Sequence, residues 1–285
     1  MAFVGSRACS VVLWLLIGVY AVVTDLSDAA PKIFQTPANL PLTILVPMAF
    51  ALLHGARRYG IAGILWFTVL CLGISNVMEN MGVLTGFPFG PYHYTDVLGP
   101  KLFLVPLLIG PGYLGTGYVS WVLADILLGA GNRRDALATI ATPLLATFIM
   151  VGWDACLDPG SATIAKIWIW HTGGGYFGVP LTNYLGWFLT VFLFMQAFAL
   201  YLRARSAPLL AVPDSHWFQA AAFFLVMALD FPAGYLGITS SAVTDATGKV
   251  WQTGDIVETS AIVSLFTMMP FAVASFLTLM LRRKT

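Results

Sequence analysis

The chain has 285 residues, 59% of them hydrophobic and 9% charged, with a formal net charge of +1 and a mean hydropathy of +0.84. Soluble domains carry about 25% charged residues, so no water-facing surface can be built from this composition, and the chain reads as an integral membrane protein. The near-zero charge offers nothing to a nucleic-acid partner, and Cys9, Cys71 and Cys156 lie in or beside apolar runs without the spacing of disulfides or metal ligands.

A spanning helix needs about 20 apolar residues. Segments that meet this run over 8–24, 40–56, 60–81, 102–128, 136–157, 181–202, 216–235 and 256–281. They predict an all-α polytopic transmembrane helix bundle of about eight helices, forming one integral membrane domain over 1–285. The first segment has the look of a cleavable signal, with Arg7 before it and Ser27-Asp28-Ala29-Ala30 after it. It is read as a retained helix, because its removal would leave an odd count.

Arginine punctuates these segments. Arg7, Arg57-Arg58, Arg133-Arg134, Arg203 with Arg205, and Arg282-Arg283-Lys284 account for ten of the 14 basic residues. Basic residues collect on the cytoplasmic side, so both termini are expected there. The opposite side then carries Asp25, Asp28, Glu79, Asp96, Asp154, Asp158, Asp245, Asp255 and Glu258. His54 and His216 fall with the arginines and read as topology residues, as does Asp125.

Two connections on the acidic side, 82–101 and 158–180, are long and rich in Gly, Pro and aromatic residues. Such segments suit the headgroup boundary. Irregular backbone at membrane depth also needs a covering protein or cavity, so the sharper reading has both loops folding over a pocket mouth. Gly86-Phe87-Pro88-Phe89-Gly90, Gly175-Tyr176-Phe177-Gly178 and Phe231-Pro232-Ala233-Gly234 echo one another faintly, as an internal repeat or as an effect of composition. The fourth segment holds Pro106 and Gly110-Pro111-Gly112, which predict a kinked, closely packed helix.

Four histidines, His54, His93, His171 and His216, are scattered along the chain, with no dinucleotide fingerprint, no zinc-type Cys/His pairing and no P-loop. No metal or cofactor is therefore expected. Acid–base chemistry has better equipment. Glu79 lies near the end of the third segment between Asn76 and Asn80; an ionisable residue there is a functional candidate, against the plainer reading of a wet helix end. Asp154 and Asp158 are four apart, which places both on one helical face. Two carboxylates so close repel when both are ionised, which divides them into a proton donor and a base. Pro159 disfavours helix at Asp158 and puts that geometry in question. Asp230 follows an uninterrupted apolar run with no Lys or Arg near it in sequence. Asp255 and Glu258 open the last segment, where they complement the helix dipole. His93, between Tyr92 and Tyr94, is a candidate relay, while His171 reads as interfacial. Asn183 and Trp187 open the sixth segment, between aromatic-belt duty and a substrate wall.

The stretch Glu79, Gly82-Val83-Leu84-Thr85-Gly86-Phe87-Pro88-Phe89-Gly90, Tyr92, Tyr94, Leu98-Gly99-Pro100 and Val105-Pro106 resembles the signature of membrane carotenoid biosynthesis proteins, of the carotenoid 1′,2′-hydratase, bisanhydrobacterioruberin hydratase type. Asp154, Asp158-Pro159, Trp168, Trp170, Gly175-Tyr176-Phe177-Gly178-Val179-Pro180, Asn183 and Leu185-Gly186-Trp187 resemble its second block. The resemblance implies cofactor-free addition of water to the terminal double bond of an acyclic carotenoid or related polyisoprenoid, in membrane lipid, within a bacterial or archaeal cytoplasmic membrane. It carries no established catalytic set to this chain. The residues themselves suggest Asp154 or Asp158 as acid, Glu79 as the water-orienting base, Asp230 as a further carboxyl, and Tyr92, His93, Tyr94, Trp168, Trp170, Tyr176, Asn183 and Trp187 as substrate lining. A carotenoid or lipid carrier, and a protonation-initiated isomerase or cyclase, are the alternatives.

Overall fold

The computed structural model describes residues 6–36, 38–129, 135–205 and 208–282. The basic clusters at Arg133-Arg134 and Arg283-Lys284 lie outside them. Among the described residues the principal helices are α1 (Arg7–Ala29), α2 (Asn39–Thr85), α3 (Ile109–Leu128), α4 (Ala136–Ile164), α5 (Leu181–Ala204), α6 (Asp214–Gly237) and α7 (Thr253–Arg282). Six of these, all but α3, are long and apolar enough to cross a membrane. Short strands β1 (Tyr92–Tyr94), β2 (Lys101–Leu102), β3 (Val105–Pro106), β4 (Trp168–Trp170), β5 (Ala242–Thr244) and β6 (Val250–Gln252) fill the connections. The protein is a multi-pass helical membrane protein.

The second and third sequence segments are one element, α2, broken at Gly60 with φ 71° and ψ 172°. Only glycine takes that conformation at little cost, so the chain reverses without a loop. Arg57 and Arg58 are consequently buried rather than solvated. Arg58 Nη1 donates to the Leu210 carbonyl at 2.8 Å, and Arg205 Nη1 to the Tyr59 carbonyl at 2.8 Å. Arg282 Nη2 donates to the Ile126 carbonyl at 2.5 Å. These contacts draw the described arginine clusters to one end of the bundle. His54 and His216 stack beside them, with ring centroids 3.6 Å apart.

Helix α3 is the axis. Every residue from Tyr113 to Ile126 is buried, as befits a helix apolar on all sides. Its small residues admit neighbours: a Cβ on Gly115 would fall 2.5 Å from the Pro47 side chain of α2. The sequence expectation that this helix begins at 102 and kinks at Pro106 is corrected. Residues 101–106 form the β2–β3 hairpin, and Pro106 lies in β3. Pro111 falls in the first turn of α3, where its missing N–H removes no helical bond. Outward faces are apolar instead of charged, with Leu84 and Leu181 each 72% exposed, as lipid requires.

Prolines inside helices free a carbonyl one turn back, and apolar surroundings demand that it be satisfied. Three partners supply this. Gln196 Nε2 donates to Thr139 O at 3.1 Å behind Pro143, Tyr176 Oη to Ala155 O at 3.1 Å behind Pro159, and Ser264 Oγ to Ala228 O at 2.7 Å behind Pro232. Pro159 therefore does not end its helix, as its position after Asp158 suggested. The α4 helix continues to Ile164 through a wider π-type turn.

Gly115→Val is expected to wedge α2 from α3 and to lower stability by about 1–3 kcal/mol, the usual cost of overpacking. Thermal unfolding in detergent micelles measures it, and an unchanged midpoint would contradict the close α2–α3 contact.

Candidate functional site

The two long connections meet as an antiparallel ribbon. Tyr92 pairs with Trp170, His93 with Ile169 and Tyr94 with Trp168. Strand alternation sends Tyr92, Tyr94 and Trp170 inward, where they are buried, and leaves His93 outside. The ribbon closes the end of the bundle opposite the arginines. Beneath it lies a cavity of about 270 Å³ walled by aromatic rings, among them Phe89, Tyr92, Tyr94, Tyr113, Trp153, Trp168, Trp170 and Trp187. Tyr113 stacks on Trp187 at 4.3 Å with a 5° interplanar angle. The folding of both loops over a pocket is thus present in the structure.

Glu79 enters this wall from the second half of α2 and is 3% exposed. Its carboxyl takes three phenol donors. Tyr92 and Tyr94 donate to Oε2, Tyr94 at 2.9 Å, and Tyr113 donates to Oε1 at 2.6 Å. Burial, and then the Glu79 carboxylate beside them, holds the Tyr92 and Tyr94 phenols well above their ordinary range. Both stay protonated donors at neutral pH.

Asp154 and Asp158 stand one turn apart on α4, buried at 0% and 1% exposure. Because the helix runs through Pro159, they do share a face. Asn183, near the start of α5, clasps the pair: its Nδ2 donates to Asp158 Oδ2 and, at 3.3 Å, to Asp154 Oδ2. Trp168 Nε1 donates to Asp158 Oδ1 at 2.6 Å. Asp154 Oδ1 is buried with no hydrogen-bond partner among the described residues. The pair does not itself line the cavity; Asn183 and Trp168, which do, hold it behind the wall. Glu79, Asp154 and Asp158 are close enough to interact electrostatically. No cation pairs with any of the three, the ion pair found among the described residues being Lys101–Asp96 at 3.0 Å.

Other expected site residues fall elsewhere. His93 Nδ1 meets His171 Nε2 at 2.8 Å on the exposed side of the ribbon, away from the cavity. Tyr176 serves the Ala155 carbonyl and is absent from the lining. Asp230 lines the cavity but joins a different group, with Asp25 and Asp28. Asp255 and Glu258 are exposed. Cys9, Cys71 and Cys156 are free and buried. The described residues hold no group of three His, Cys, Asp or Glu side chains placed to share a metal ion. Sequence reasoning passed over Tyr113 and Trp153. Tyr113 interrupts the run of small residues from Gly110 to Gly117, and a large polar-tipped side chain in a close-packing stretch was the available signal.

Fold and site together define a class: a polytopic helical membrane protein with an aromatic cavity under the ribbon and buried carboxyls at and behind its wall, none paired with a cation among the described residues. The chain belongs to the carotenoid biosynthesis protein family, which matches residues 39–246. It is 35% identical over 139 residues to the bisanhydrobacterioruberin hydratase of Haloarcula japonica, a match covering 47% of this chain and 42% of that relative. The chain thus spans less than half the length of that relative. No solved structure matches it. The family region contains Glu79, Asp154, Asp158, Asn183 and the whole β1–β4 ribbon.

Asn183→Leu is expected to strip the shared donor from two buried carboxyls and cost about 1–3 kcal/mol of stability. His93→Ala, on the exposed side, should stay within about 0.5 kcal/mol. Parallel detergent melts compare the two, and equal effects would contradict the described placement.

Proposed function

We propose that this protein is a hydratase that adds water to the terminal double bond of an acyclic carotenoid or related polyisoprenoid, without a cofactor. The observation that carries the reading is the set of three cation-free carboxyls beside an apolar, aromatic cavity. The similarity to the bisanhydrobacterioruberin hydratase of Haloarcula japonica and the family membership support it. The site faces the non-cytoplasmic side of a bacterial or archaeal cytoplasmic membrane, and both termini lie in the cytoplasm.

A proton first moves from a carboxylic acid to the less substituted carbon of the alkene, leaving a tertiary carbocation. The oxygen of a water molecule then bonds to that carbon. A carboxylate removes the extra proton, and the net change is alkene plus water to tertiary alcohol. The Asp154–Asp158 pair supplies the acid: two carboxyls sharing one amide donor cannot both be ionised cheaply in apolar surroundings. Asp154 Oδ1, free of hydrogen bonds among the described residues, is the oxygen that delivers the proton, after a side-chain rotation toward the cavity. Glu79, steadied by three phenols, orients the water and takes its proton. Ring faces of Tyr113, Trp153, Trp168 and Trp187 steady the cation, each worth about 1–2 kcal/mol when desolvated. The cavity holds the end group, and the rest of the polyene lies between helices or in lipid.

The aromatic wall equally suits a cation that loses a proton or closes a ring, so an isomerase or cyclase is the competing reading. Product mass separates them, since only hydration adds one water. A carrier would change pigment distribution without changing mass. In a host making acyclic carotenoids, the wild-type protein is expected to give pigment heavier by one water. Glu79→Gln and Asp154→Asn should insert normally and reduce that product by about 10²–10⁴-fold, the typical share of general acid–base catalysis. Wild-type product yields from both variants would remove these residues from the mechanism, and a product of unchanged mass from the wild-type protein would overturn the hydratase reading.

A further inference from the structure

The ribbon and the Glu79 network close the reacting end of the cavity against the aqueous face, yet the proposed reaction consumes a water at every turnover. Another part of the wall has different equipment. There the wall is made by Tyr20 of α1, Leu40, Thr43 and Ile44 at the start of α2, and Asp230 of α6. Asp230 Oδ1 is buried with no hydrogen-bond partner among the described residues, in contrast to Glu79, both of whose oxygens are taken. Such a group needs a polar guest, and here it lines open space.

Asp230 lies within electrostatic reach of Asp28 and, more weakly, of Asp25. Asp28 is exposed, and Asp25 is half-buried with Thr24 Oγ1 donating to its Oδ1 at 3.1 Å. The Asp28 carboxyl lies beside Gly234, one turn beyond Asp230 on the same face of α6: a Cβ on Gly234 would sit 3.6 Å from Asp28 Oδ2. The exposed Asp28 therefore stands next to Asp230 along α6, with half-buried Asp25 further off, so carboxyls lead from the surface to the cavity wall. Water follows such steps because each provides acceptors in otherwise apolar surroundings.

We infer that Asp230, with Asp28 and Asp25 beside it, is the water inlet of the cavity: a positioning residue that admits the water which Glu79 then orients toward the carbocation. The inference rests on the hydratase reading and concerns a step after proton transfer. Asp230 neither donates the first proton nor touches the alkene. Losing it leaves the acid intact and removes the nucleophile, so the cation reverts to alkene by losing to the carboxylate either the proton it gained or one already on a neighbouring carbon, the second route leaving the new hydrogen in the polyene.

That separation can be measured. Purified protein in detergent is given an acyclic polyene in D2O, and mass spectrometry follows two quantities: hydrated product and deuterium in the recovered, unhydrated polyene. For Asp230→Leu the hydrated product is expected to fall at least ten-fold while deuterium still enters the polyene. Asp230→Asn, which can still hydrogen-bond water, should restore most of the hydration. Deuterium and hydration falling together in Asp230→Leu, or hydration unchanged in it, would overturn the inference. Wild-type protein that neither exchanges nor hydrates would instead overturn the hydratase reading, and this inference with it. A readout independent of turnover uses Thr43→Cys, on the wall of the same cavity as Asp230, with the native cysteines all buried. A small hydrophilic thiol reagent is expected to modify Cys at this position, and at least ten-fold more slowly when Asp230→Leu is added. No modification in the Asp230 background, or equal rates in both, contradicts an aqueous inlet there.

Discussion

Burying a carboxyl group in apolar protein is costly unless it is hydrogen-bonded, and the usual remedy is a cation. Here the remedy is neutral. Glu79 is held by three phenols, Asp158 by an amide and an indole, and Asp154 by the same amide. Those donors come from α3, α5 and both strands of the ribbon, and the acceptors from α2 and α4, so the requirement to satisfy these oxygens ties together elements far apart in sequence. The ribbon's register follows from it. A slip by one residue would turn Tyr92 and Tyr94 outward and leave Glu79 with Tyr113 alone.

The same logic runs through the membrane-depth backbone. Each of Pro143, Pro159 and Pro232 releases a carbonyl that a side chain from another helix or loop then occupies. At Pro159 the consequence reaches the site. Tyr176 caps the freed Ala155 carbonyl, the helix continues, and Asp158 stays on the face it shares with Asp154. Proline and tyrosine together thus place the second carboxyl.

Apolar run lengths are sufficient to read the spanning segments apart from the fourth, because a membrane imposes length directly and arginine marks their ends. The reversal at Gly60 was placed correctly as a boundary, though not as a loopless kink that buries Arg57 and Arg58, since nothing local distinguishes a buried arginine from a solvated one. Glu79, Asp154 and Asp158 were legible as expensive charges in apolar context. Their partners were legible only in part. Tyr92 and Tyr94 flank His93, and two-residue alternation decides which faces inward, but a loop gives no warning that it will pair as a strand. Tyr176 resembled Tyr92 in composition and serves a different oxygen. Tyr113 carried no local mark beyond its size. Pro106 looked like a helix kink because the hairpin before α3 is as apolar as the helix itself.

The choice of neutral donors has a chemical consequence. Lysine and arginine only donate, so a cation at Glu79 would hold the group ionised and fill the space that a hydrocarbon end group needs. A phenol both donates and accepts. Tyr92, Tyr94 and Tyr113 can therefore keep their hydrogen bonds to Glu79 when it takes a proton, by reversing the direction of one bond without moving a heavy atom. Asn183 offers a similar tolerance to the aspartate pair, since one amide donor spans both and does not require either to be charged. The acid–base reaction we propose, in which the site gains and loses a proton in each turnover, needs such indifference to charge. In a membrane, where no bulk water compensates a stranded ion, a constellation of three phenols, one indole and one amide keeps the carboxyls hydrogen-bonded in either protonation state beside an apolar cavity.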